Sequence, residues 1–180
     1  MSAGGVFVPP VFICKRKNMN DRLLRRAPYG TVGVPSASGW IDVDIFVRYL
    51  LHFIQHVKPS ETNKCIIDLD GHISHKSMKA IDLARQNNVT LVTLPPHTSY
   101  RLQPLDITLF RPQKTTYYRE MDKWMLAHPI QRITGYDICE SFNPAYTTQL
   151  VLTKRKKVFN QLAFFLLIQT YSVMWTLHHH

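Results

Sequence analysis

Two aspartates carry the most specific chemistry in this chain. Asp70 closes the apolar, β-branched run NKCIIDLD and is followed at once by GHISH, while Asp106 stands in LQPLD, beyond one expected helix and one expected strand. In a parallel α/β sheet, ligands gather outside the carboxyl ends of the strands. A carboxylate at such an end offers oxygen donors to a hard divalent cation. Two carboxylates at one sheet edge suit two-metal phosphoryl transfer, in which cations activate the attacking oxygen and stabilise the leaving one. Each acid also has a plainer reading: Asp70 as a strand end or helix cap, and Asp106 as an acid favourable to a helix dipole. Asp68 shares a strand face with Asp70 by the two-residue period, and reads as buried or paired with a cation.

Around these acids lie histidines and bases. His72 and His75 lack the further ligands a zinc site needs. They read instead as hydrogen-bond partners of a carboxylate, of phosphate or of the neighbouring loop, or as packing residues. His97, in PPHTSY, has the same alternatives. Arg101, Arg111, Lys114 and Arg119 crowd Asp106 in sequence, with Tyr117, Tyr118 and Trp124 interleaved. That mixture suits a nucleic-acid backbone and stacked bases, or else a solvated helix face whose aromatics turn inward.

The elements that must position these groups follow from periodicity. Residues 5–17, built around Pro9 and Pro10, predict an extended hairpin arm or edge strand. Residues 18–39 read as loop with one short helical turn. Ile41, Ile45, Phe46, Tyr49, Leu50, Phe53 and Ile54 recur at three- and four-residue steps and predict a helix that ends near Pro59, with Asp42 and Asp44 in its first turn. Residues 63–70 predict a strand, with Gly71 allowing the turn. Ser74 stands where an N-cap would precede a helix over 75–88, with Met78, Ile81, Leu83 and Ala84 as its buried stripe. Residues 89–95 predict a second buried strand, parallel to the first. Helices follow from about Gln103, interrupted near Pro112, and over 134–150. The apolar stretch 158–177 reads as a buried tail helix in preference to a membrane span, because Asn160, Gln161 and Gln169 interrupt it.

Composition sets outer bounds. At 180 residues, 45% hydrophobic and 19% charged, the chain is neither a disordered tail nor too short for a core. Its net charge of +10 favours polyanions, meaning nucleic acid or an anionic membrane surface. Cys14, Cys65 and Cys139 are scattered, which suggests neither a zinc knuckle nor a disulfide framework.

LDGHISHKS, followed by LARQNNVTLVTLPPHTSYRLQPLDITLFRPQK, resembles the DDE endonuclease domain of transposases of the pogo, Tigger and jerky group. FVPPVFICKRK, APYGT, SGWID, FIQHVKPSE and YYREMDKWMLAHPIQRIT extend the resemblance over residues 3–148. It implies an α/β fold of the RNase H-like kind, a mixed sheet flanked by helices. In such domains three acids hold two Mg2+ or Mn2+ ions and the enzyme cuts and joins DNA in the nucleus, often as an oligomer. Asp70 matches the second acid and Asp106 the third. The first acid belongs to a strand expected upstream of SAGGVFVPP, and Asp42 and Asp44, which open a helix, do not replace it. The resemblance therefore implies a partial domain over 1–150 without its first strand, followed by a divergent basic and apolar tail over 151–180 with an extra helix. It implies a metal site short of one acid and a chain that does not cleave by itself. His72, His75, His97, Arg101 and Lys114 are the candidate DNA contacts, though Tyr100 stands where the family usually has histidine. The other reading is a domesticated, non-catalytic module for nucleic-acid or protein contact.

Overall fold

The computed structural model describes residues 2, 6–94, 109–155 and 168–169. Its elements are β1 (Val11–Lys15), a 3-10 turn (Asp21–Leu24), β2 (Val32–Ser36), α1 (Val43–Val57), β3 (Cys65–Leu69), a second 3-10 turn (Ile73–Lys76), α2 (Met78–Gln86), β4 (Val89–Thr93), α3 (Arg111–Ala127), α4 (Ile138–Arg155) and β5 (Ile168–Gln169). The architecture is α/β. Where one mixed sheet is expected, the described strands form two sheets, β1-β2 and β4-β3-β5, and every pairing in them is parallel.

Of the two expected forms of the N-terminal segment, the edge strand is formed among the described residues and the hairpin arm is not. β1 pairs with β2 in parallel, from Val11 opposite Val32 to Lys15 opposite Ser36. A parallel partner needs a long connection, which the 3-10 turn and its flanking loops supply. Strand β2 falls inside what reads as loop, because Gly33 and Pro35 weaken its strand signal. Proline is tolerated there for a geometric reason. Val32 N–H donates to Pro10 O and Ser36 O accepts from Arg16 N–H, so the even residues of β2 face β1. Pro35 faces the open edge, where its missing N–H removes no ladder bond.

α1 is the pillar of the main core. Asp42 caps it by accepting from Ile45 N–H at 2.8 Å, and Lys58 ends it in the left-handed region. Its inner face, Ile45, Phe46, Tyr49, Leu50 and Phe53, is buried as the periodicity predicts. It packs against Val11 and Ile13 of β1, Val34 of β2 and Cys65, Ile67 and Leu69 of β3. The helix thus ties both sheets to one core, each buried side chain contributing roughly 1.5–3 kcal/mol. His52 is also buried and donates from Nε2 to Pro9 O at 3.0 Å, linking α1 to the segment entering β1. On the other face of β1, Phe12 packs with Tyr117 of α3 and with Ile138, Cys139 and Phe142 of α4. β1 is therefore covered on both faces, as its unbroken apolar run VFI requires. α4 runs through Pro144 without ending.

α2 starts later than predicted. Its N-cap is Ser77, accepting from Ala80 N–H, and residues 73–76 form the second 3-10 turn. The inward stripe is Ala80 and Ala84 with Leu83 against them, whereas Met78 projects into solvent. β3 and β4 pair in parallel from Cys65–Val89 to Leu69–Thr93, as expected. Ile168 and Gln169 pair in parallel with Ile67 and Asp68 on the other edge of β3, so this part of the expected tail helix is strand. The rest of that stretch lies outside the described residues. No helix among the described residues is long and apolar enough to cross a membrane.

Candidate metal centre

Asp70 stands just past the last paired residue of β3, at the strand's carboxyl end. Its Oδ1 accepts from His75 Nδ1 at 2.9 Å and from His72 N–H at 3.1 Å. His75 is held in turn by the ring of Phe46, 4.4 Å between centroids. The hydrogen bond from His75 holds the Asp70 carboxyl below its usual range, against the opposing pull of partial burial, and the His72 N–H adds to it. This is the arrangement of a carboxylate oriented by a histidine behind it. Oδ2 receives no hydrogen bond from a described residue, and the side chain is partly exposed.

The two histidines have different jobs. The ring of His72 turns away from Asp70: its Nδ1 accepts from Ser74 N–H and lies 2.7 Å from Ser74 Oγ, capping the 3-10 turn. Only its backbone hydrogen-bonds to the acid, while the ring acts on it through charge. His75 supplies the side-chain contact, and the same nitrogen lies 3.4 Å from Asp70 O. The 3-10 turn over 73–76 is what brings position 75 back to position 70.

Gly71 does not make the turn by adopting a glycine-only conformation. Its φ is not positive, and an added Cβ would meet only Lys76 Nζ, at 3.9 Å. Gly71→Ala should therefore fold normally, with a melting midpoint unchanged or slightly raised, since alanine restricts the unfolded chain at a compatible site. A clear fall in midpoint by calorimetry would show that the loop needs glycine after all.

Asp68 was expected to be buried or paired with a cation, and it is buried, with no cationic partner among the described residues. It is 1% exposed, and no described side chain hydrogen-bonds to either carboxylate oxygen. Burial pushes its carboxyl up to about 6, against a weak pull from the Leu69 N–H.

The donor set fits one arm of a hard-cation site: a carboxylate with a free oxygen, oriented by a histidine. Among the described residues no group of three or more His, Cys, Asp or Glu side chains is placed to hold a metal ion. Asp106, His97 and Arg101 lie outside the described residues. Lys114 is exposed on α3. Of the aromatics on that helix, Tyr117 is core and not a stacking platform for bases, and burial pushes its hydroxyl up to about 12. Trp124 stacks on His128 at 4.3 Å.

The site is thus a parallel α/β frame that carries one histidine-oriented acid at a strand end. The family model described as DDE superfamily endonuclease matches residues 2–170, so the chain belongs to that family, and the match runs on past residue 148. The chain is also 37% identical over 112 residues to a protein from Cochliobolus lunatus called MFS-type transporter clz9, a stretch covering 62% of this chain and 12% of that protein. The chain thus corresponds to a small part of that relative's length. No solved structure matches it.

Proposed function

We propose that this chain is a transposase-derived DDE domain that binds DNA in the nucleus and holds a divalent cation, Mg2+ or Mn2+, through Asp70 and Asp106. The observation that carries the reading is the Asp70 carboxylate, oriented by His75 at 2.9 Å at the end of β3 in a chain of this family. A bound cation would supply Lewis-acid stabilisation of phosphate oxygens and activation of a water or hydroxyl. The work of the protein's own residues is positional. His75 fixes the Asp70 carboxylate and keeps it ionised, Phe46 fixes His75, and the His72 N–H closes the loop against Oδ1. By themselves Asp70 and Asp106 leave the two-metal arrangement one acid short, and a misplacement of ~1 Å can cost ~100-fold in rate. The 180-residue chain on its own is expected to bind metal without nicking DNA.

Mn2+ titration followed by the electron paramagnetic resonance of the free ion tests this. Asp70→Asn and Asp106→Asn should each weaken binding at least ~10-fold, and supercoiled plasmid should stay intact with Mg2+ or Mn2+. Equal Mn2+ affinity in wild type and both variants would remove the metal site and leave a non-catalytic interaction module. Robust nicking by the wild type that is lost in Asp70→Asn would overturn the inactive reading.

A further inference from the structure

A dense run of basic charge lies at the end of β1 and in the segment after it. Between Lys15 and Arg26 lie six basic residues and a single acid, Asp21, which is half of the net charge of +10. Of these, Lys15, Arg16 and Lys17 leave β1 and border a groove of about 1280 Å³. One wall is Phe12 to Lys17, six residues in succession, and the other is the loop from Arg132 to Tyr136. A sheet face would contribute alternate residues, so a wall of consecutive ones follows the strand's edge and exit. A second depression, of about 510 Å³, runs from Tyr136 to Arg22 and Arg25 and is also lined by Asp137 and Glu140.

The carboxylates nearby are already engaged. Glu140 pairs with Arg26, and Asp137 accepts from both the N–H and the hydroxyl of Thr134. The groove itself has no acidic lining residue. Lys15, Lys17, Arg22, Arg25 and Arg132 have no carboxylate partner among the described residues. Arg16 lies 4.9 Å above the ring of Tyr136 and donates to its hydroxyl at 3.2 Å, which sets a cation and an aromatic face at the junction of the two depressions.

Resting on the nucleic-acid reading above, we infer that this groove is the surface that takes the phosphodiester backbone of DNA, separately from the Asp70 site. Unpaired lysines and arginines bind phosphates by releasing condensed counterions, without reading sequence. An extended acidic peptide added to β1 is the competing occupant. Only Ile13 and Lys15 turn their backbone groups to the groove side, since Pro10 and Arg16 bond toward β2. Two residues make a poor ladder, whereas five unpartnered cations match a polyanion.

Binding of a fluorescent 30-base-pair duplex of mixed sequence, in EDTA to silence the metal site, tests the assignment across a salt series. The groove variant carries Lys15→Gln, Lys17→Gln and Arg132→Gln, all three lining the groove. The control carries Lys58→Gln, Lys64→Gln and Lys79→Gln, the same loss of charge elsewhere. The groove variant should bind at least ~10-fold more weakly at 50 mM salt, and its log–log salt slope should be shallower by about 2–3, near 0.9 per lost phosphate contact. The control should lose clearly less in both. Equal losses in the two variants would reduce the effect to global charge and overturn the groove. Polyglutamate of equal charge binding as tightly as the duplex would assign the groove to acidic protein. No duplex binding by the wild type would also overturn it, while the Mn2+ titration of Asp70 would still judge the metal site independently.

Discussion

Phe46→Ala is expected to lower unfolding stability by about 3–5 kcal/mol, the range for removing a fully buried aromatic ring. Phe46 is 1% exposed and sits where α1 meets both sheets. Its ring stacks with Tyr49 at 6.4 Å and supports His75 at 4.4 Å, so one side chain serves the core and the Asp70 loop together. Urea unfolding should show the loss. Where the variant is still folded, the Asp70 carboxyl should titrate closer to its ordinary range, because His75 no longer holds its position. His75→Ala separates the two effects: it should move the Asp70 titration in the same direction at a much smaller stability loss. A Phe46→Ala loss below about 1 kcal/mol would mean that the site collapses around the cavity or that the ring is not core.

Asp68→Val should act in the opposite direction and stabilise the protein at neutral pH. The wild-type carboxyl is ionised at pH 7.5 inside a site where no described side chain hydrogen-bonds to it. Its folded pKa, about 6, lies above the 3.8 of an ordinary aspartate, so the folded state binds more protons than the unfolded state between about pH 4 and 6. Stability therefore falls as pH rises through that window, and the penalty is complete above it. At roughly 1.4 kcal/mol per pH unit, the penalty is on the order of 2–3 kcal/mol. Valine is near in size, suits a strand and carries no charge. Unfolding measured in EDTA should show the variant more stable at pH 7.5 and the advantage shrinking as pH falls to 4.5. His52 adds its own dependence: burial lowers its pKa, so ionising it at low pH destabilises both proteins alike. The difference between wild type and variant isolates Asp68. Parallel pH profiles for the two proteins would refute the assignment.

The sequence alone determined a good part of this molecule. The three- and four-residue spacing from Ile45 to Phe53, with Asp42 before it, specified α1 and its buried face, because helix periodicity and capping are local properties. The β-branched runs around Ile67 and Leu91 specified a parallel pair, because the helix between them is long enough for a crossover. The residues of LDGHISHKS and LQPLD specified the family.

Only the tertiary structure decided the rest. Ser74 and Ser77 are equally good caps by type. The 3-10 turn that lets His75 reach Asp70 made Ser77 the cap. β2 escaped notice because Pro35 matters only through which edge it faces, and that depends on the partner strand. Ile168 and Gln169 fall within a stretch that reads as helix by local pattern, and their pairing with the edge of β3 made them strand. Asp68 and Asp70 differ by two positions in one run of residues, yet one is orphaned in the interior and the other is ionised by a histidine. Burial and partnership are set by what packs over a residue from distant parts of the chain, and no local pattern encodes that.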